Sequence, residues 1–197
     1  MTIETAVAGT QEPERIRAEA ADEPTGRRIR ASEPQYMELL DFLWEEAAAL
    51  DRHDHMAWKT MLDPQIRYVM PVCITRRRGT GELFATEAVH FDEDYHSLSF
   101  RIRRIEETLA WAMDPAPRAR RFVTTIRAWE TDEEGVFDVT SSLLLHRTAE
   151  DDFRTDVITA LRIDKIRDIG DGGYLLLSRK IIADQSTIGT HNLAMFL

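Results

Sequence analysis

Cysteine occurs once in the 197 residues, at Cys73. An intrachain disulfide is therefore impossible, and so is a metal centre built on several thiolates. The thiol sits in the run Met70-Pro71-Val72-Cys73-Ile74, a setting that suits a buried inert cysteine better than a nucleophile. No apolar stretch approaches the roughly 18 residues of a membrane span. The opening residues lack a charged n-region followed by an apolar h-region, which gives a cytoplasmic location as the expectation. No glycine-rich phosphate loop is present: strand patterns flank Gly170-Asp171-Gly172-Gly173 on both sides, so it reads as a hairpin turn. A serine-centred elbow and a Cys–His pair are also missing. Basic charge is short, 25 residues against 35 acidic for a net of −10. Phosphate neutralisation needs a basic surface, so this balance argues against non-specific nucleic-acid binding.

What is present suffices for one core, with 43% apolar residues. Residues 1–31 are rich in Glu, Arg, Ala and Thr and poor in large side chains. They read as a flexible N-terminal arm, either a disordered tail or a segment that orders on a partner. Residues 32–197 read as a single domain. Ser32-Glu33-Pro34-Gln35 offers a capping box and a first-turn proline. Tyr36, Leu40, Leu43, Ala47 and Leu50 then make one helical stripe. A shorter helix carries Trp58, Met61 and Leu62 and stops at Asp63-Pro64. Residues 65–74 alternate as a strand, with Pro71 marking an edge or a bulge. Residues 82–87 suggest a short returning strand. A third helix from Tyr95 buries Leu98, Ile102 and Ile105, with Arg101, Arg103 and Arg104 off that stripe. Four strand runs follow, at 120–131, 136–147, 153–167 and 174–184, joined by short turns into an antiparallel meander. Helices first and a meander after predict an α+β fold, a curved antiparallel sheet wrapped around N-terminal helices as a cone with an internal pocket.

Candidate chemistry is thin. His53 and His55, with Asp51, contain the residue types of a two-histidine, one-carboxylate iron triad, but a spacing of two points helical side chains apart. His90 and His96 flank Phe91-Asp92-Glu93-Asp94. That run serves either as an acid–base pair, with His96, Asp92 or Asp94, and Tyr68 as players, or as an acidic helix N-terminus. His146 and His191 have no sequence-local partner. The arginines stand out more. Only three of the 25 basic residues are lysine, and Arg101, Arg103, Arg104, Arg118, Arg120, Arg121 and Arg127 crowd one stretch with Trp111 and Trp129. Planar bidentate guanidinium groups and tryptophan anchors suit a subunit interface; a solvated basic face or internal pairing are the alternatives.

Several separated motifs resemble one family. Glu46-Ala47 to Leu50-Asp51 with Trp58, Tyr68-x-x-Pro71, and Arg101-x-x-Arg104 come first. Ala110-Trp111-Ala112, Asp114-Pro115 and Pro117-Arg118-x-Arg120 follow. Then come Arg162-x-Asp164-x-x-Arg167, Ser178-Arg179-Lys180-x-Ile182-x-Asp184-Gln185, and His191-Asn192-Leu193-Ala194-Met195-Phe196-Leu197. In this order they are similar to the β (small) subunit of Rieske non-haem iron aromatic-ring-hydroxylating dioxygenases. Met113 departs from a usual Glu, Thr125 from a frequent Asn, and Ala160-Leu161 from Gly and Arg. The resemblance implies a cone like that of nuclear transport factor 2 and scytalone dehydratase. It implies a heterohexamer of three α and three β subunits, with β–β contacts and electron-transfer proteins reaching it through α. The Rieske [2Fe–2S] cluster and the mononuclear Fe(II) are then expected in the α subunit, with no catalytic, cofactor or metal residue here. The subunit-interface candidates are Arg101, Arg103, Arg104, Trp111, Asp114, Pro115, Arg118, Arg120, Arg121, Asn192 and Phe196. A stand-alone dehydratase or isomerase of the same fold, or a small-ligand binder, is the alternative.

Overall fold

The structure is a computed structural model that describes residues 24–74, 84–112, 117–148, 155–190 and 195–197. Its elements are β1 (Arg28–Ile29), α1 (Pro34–Asp51), α2 (His55–Thr60), β2 (Leu62–Cys73), β3 (Phe84–Asp94), α3 (Tyr95–Ala112), β4 (Arg118–Glu130), β5 (Val136–Thr148), β6 (Thr155–Gly170) and β7 (Gly173–Ala183). The strands form one sheet in the order β1-β4-β5-β6-β7-β2-β3. The meander from β4 to β7 is antiparallel as the short turns require. One joint differs from the expected all-antiparallel sheet: β2 enters parallel to β7. β3, α3 and the strands β4 to β6 all lie between the two in sequence, so no local turn signal announces the pairing.

Each strand of the meander alternates. On β5, Phe137, Val139, Ser141, Leu143, Leu145 and Arg147 are buried, and on β6 so are Ile158, Ala160, Arg162, Asp164 and Ile166. This face closes on α1 through Leu39, Phe42, Leu43, Ala47 and Leu50, and on α3 through Leu98, Ile102 and Ile105. The α1 stripe is wider than predicted, with Tyr36 and Leu40 only packed against its margin.

Several local expectations are corrected. The cap of α1 is Glu33, without a side-chain bond into the helix, so the Ser32 capping box does not form. The Glu33 carboxylate instead accepts from the Arg30 amide and from Arg27. Asp63-Pro64 does not end α2 but lies inside β2. There Asp63 is buried and accepts from Arg167 at 2.6 Å. The returning strand is longer than residues 82–87 and runs from Phe84 through the acidic run to Asp94. Pro71 does mark a bulge, since the β2–β3 register shifts on both sides of it. The described residues also reach into the segment expected as an arm. β1 pairs with β4, Ile29 is 2% exposed, and Arg27 bridges Glu130 and Glu33. Gly26 permits this docking, because a Cβ there would stand 1.7 Å from the Glu130 carbonyl oxygen. Thr125 has φ of 52° beside the β4–β5 register shift. A β-branched residue is strained in that region, whereas asparagine tolerates it.

Candidate functional site

The interior of the sheet holds charge where an ordinary core would be apolar. Glu46, Arg162, Asp164 and Arg179 are each at most 1% exposed. Strand register assembles them: Asp164 stands opposite Arg179, and Arg162 opposite Ser141. Arg179 grips the Asp164 carboxylate with Nε and Nη2, both at 2.8 Å. Its Nη1 and Nη2 donate to the two Glu46 oxygens at 2.6 and 2.8 Å. Glu46 also accepts from the Trp58 indole at 2.9 Å. Burial opposes the charged form of both groups. For Arg179 the Asp164 and Glu46 charges outweigh burial and hold its pKa up; for Glu46, Arg179 and Arg162 outweigh it and hold the carboxyl down. Arg162 donates to Ser141 at 3.0 Å and reaches Glu46 only at 3.5 Å, and burial with the neighbouring Arg179 lowers its pKa.

Around this pair lies a cradle for residues 195–197. Arg101 on α3 donates to the Met195 carbonyl oxygen at 2.6 Å. Arg121 on β4 donates to the Phe196 carbonyl from Nε and Nη2, at 3.2 and 2.7 Å. Arg179 donates to the Leu197 carbonyl at 3.1 Å. The Tyr68 hydroxyl accepts from the Leu197 amide at 2.8 Å and donates to its carbonyl at 3.0 Å. The Phe196 ring is fully buried, 4.3 Å from the Trp58 ring centroid and 5.7 Å from His55, with the Arg101 guanidinium 4.7 Å away.

This geometry re-sorts the predicted interface residues. Arg101, Arg121 and Phe196 are interior, not surface. Arg101 pairs with Glu93 at 2.9 Å and Arg121 with Asp51 at 2.8 Å. Arg101 lies on the buried α3 stripe beside Leu98 and Ile102, contrary to its expected place off it. Arg103, Arg104, Arg118 and Arg120 are exposed. Arg120 has only a 3.7 Å approach to Asp51 with 70% of its side chain exposed. Asp114, Pro115 and Asn192 lie outside the described residues, and Trp111 lies in the last turn of α3.

The alternative acid–base set is not assembled. Tyr68 is fully buried and its hydroxyl is committed to Leu197, with burial pushing its pKa up. Asp92 pairs with Arg67 at 2.7 Å, and His96 is exposed at the start of α3. A cleft of about 470 Å³ there is lined by Glu93, His96, Ser97, Phe100, Arg101 and Arg104, not by Tyr68 or Asp92. The acidic run serves the helix start: Asp94 accepts from the Ser97 amide at 2.8 Å and Ser97 reaches back to the Asp94 amide at 2.9 Å. His55 bonds Glu106 at 2.6 Å, His53 bonds the Pro117 carbonyl at 2.9 Å, and Asp51 holds Arg121. These three do not form an iron triad, and no metal-holding cluster occurs among the described residues.

Glu46, Arg162, Asp164 and Arg179 stand in the sequence as parts of motifs rather than as site candidates, and the signal that marks them as interior is parity. Arg162 and Asp164 share the phase of Ile158, Ala160 and Ile166, and Glu46 falls between Leu43 and Leu50 on the buried stripe.

Comparison with known proteins follows the same outline. A family model described as ring hydroxylating beta subunit matches residues 45–190. A chain of naphthalene 1,2-dioxygenase with indole bound is 24% identical, with a TM-score of 0.75 over 87% of this chain and 90% of that one. The β subunit of benzoate 1,2-dioxygenase from Burkholderia mallei is 14% identical, with a TM-score of 0.63 over 85% and 100%. A Novosphingobium aromaticivorans chain assigned as a scytalone dehydratase is 10% identical, with a TM-score of 0.57 over 82% and 91%.

Proposed function

The chain belongs to the ring-hydroxylating β-subunit family, and from that membership we propose that it is the structural, non-catalytic β subunit of an aromatic-ring-hydroxylating dioxygenase. Its partner is an α subunit that carries the Rieske [2Fe–2S] cluster and a mononuclear Fe(II). That subunit adds both atoms of O2 to an aromatic ring with electrons from NAD(P)H, in aromatic catabolism in the cytoplasm. The assembly proposed is three α with three β. The observation that carries the reading is the family match across residues 45–190.

The interior supports it. Residues 195–197 take up the Tyr68 hydroxyl, and the buried Glu46 and Asp164 are each tied to an arginine. Such a core supplies rigidity, not turnover. The surfaces proposed for partners are the exposed Arg103 and Arg104 on α3 and Arg118 and Arg120 at the start of β4. Phe100, 61% exposed, precedes Arg103 and Arg104 by three and four residues, one helical turn away on the same side of α3. Guanidinium groups beside an exposed aromatic are the composition of a protein interface.

Iron content tests the reading. Purified alone, the chain is expected to bind no stoichiometric iron and to show no Rieske absorbance; both should appear when the α subunit is co-purified with it. Stoichiometric iron on the isolated chain, or turnover of an aromatic or dehydratable substrate by it, would overturn the proposal.

A further inference from the structure

Residues 195–197 are held in the manner of a bound ligand. Among the described residues no main-chain-to-main-chain hydrogen bond ties them to the sheet or helices. Their polar contacts with the rest of the described residues come from the side chains of Arg101, Arg121, Arg179 and Tyr68, on four different elements. Three successive carbonyl oxygens each meet a different guanidinium. The aromatic side chain between them fills a slot made by Trp58, His55 and Arg101.

The side chains of residues 195–197 are buried with the core, but the charges of the cradle do not depend on them. Each guanidinium has a carboxylate of its own: Glu93 for Arg101, Asp51 for Arg121, and Asp164 with Glu46 for Arg179. Withdrawal of the segment would leave no arginine without a counter-charge, so the cations stay positioned. A preformed site of this kind binds without spending energy on its own ordering. What withdrawal would expose is a set of N–H donors aimed at one line of acceptors, beside an aromatic slot.

We infer that the cone interior is a preformed recognition site for a short extended peptide with an aromatic residue, that residues 195–197 are its ligand in cis, and that they dock and undock as a latch without unfolding the cone. The latch joins α3, β4, β7 and β2 at one point, so its closure fixes α3 against the sheet. The inference stands apart from the β-subunit reading, since it concerns the chain's own interior.

Native-state hydrogen exchange on the intact chain, alone or in complex, tests it. The Leu197 amide, which donates to Tyr68, is expected to exchange through a local opening. Its protection should be at least 100-fold below that of the Leu143 and Leu145 amides in β5 and insensitive to low denaturant. A second arm uses the full chain with Phe196→Asp, which ejects the segment. That variant should keep β5 protection and bind a synthetic peptide of residues 191–197 saturably, and a peptide with alanine at the phenylalanine position should bind at least tenfold more weakly. Exchange of Leu197 only with global unfolding would overturn the inference, because the segment would then be ordinary core. A folded variant that ignores the peptide would overturn it equally.

Discussion

Removing the Glu46 carboxylate would leave Arg162 and Arg179 buried beside each other, with Asp164 as their one near carboxylate among the described residues. Breaking a buried pair from one side costs about 3–5 kcal/mol, because the remaining charge keeps its desolvation penalty. Glu46→Ala is therefore expected to lower unfolding stability by that amount in urea titration. An effect below 1 kcal/mol would mean that water reaches the arginines. His55 gives the pH dependence. Burial lowers its pKa despite the bond from Glu106, so protonation favours the unfolded chain. A depressed folded pKa contributes stability that is full above the unfolded value, near 6.5, and fades as pH falls through the folded one. Melting temperature should thus drop on acidification below pH 6.5, before the loss from Glu46 sets in at carboxylate pH. His55→Gln should flatten that first step, and an unchanged profile would contradict the assignment.

At the scale of elements, the exposed and buried arginines of one stretch divide by strand and helix phase. Arg120 and Arg121 are neighbours on β4 that point to opposite faces. Arg104→Glu or Arg120→Glu is expected to weaken binding of the partner subunit at least tenfold with the melting temperature within about 2 °C of the parent. Arg121→Glu should unfold the chain. If the Arg104 and Arg120 variants lose stability and assembly together, those residues belong to the fold. The phase that separates the two sets was present in the sequence, since Val123 and Arg121 share parity, as do Leu98, Arg101 and Ile102 at helical spacing. Charge hides it, because an arginine ordinarily marks a surface position. Helix positions and the meander were legible from periodicity and turns. The β2–β7 pairing was not, because it joins segments over 100 residues apart. Nor was the 195–197 cradle, because it depends on side chains from four elements meeting in space. Thr125 shows the opposite case: its departure from asparagine was visible in the sequence, but the left-handed backbone that explains the asparagine appears only in the structure.

For the whole molecule, the fold spends its polar groups on closing itself. Seven strands curve over two long helices, and the chain's own residues 195–197 fill the space around Tyr68. The surfaces proposed for the partner subunit then lie on the outside of the cone, on α3 and the start of β4. No helix among the described residues is long and apolar enough to cross a membrane. The central claim is that this chain is one half of a larger oxygenase, and native mass spectrometry of the chain co-expressed with a Rieske-motif α subunit tests it most directly. The account predicts a single species with the mass of three α and three β subunits. Recovery of this chain free of the α subunit, under conditions where both are folded, would contradict it.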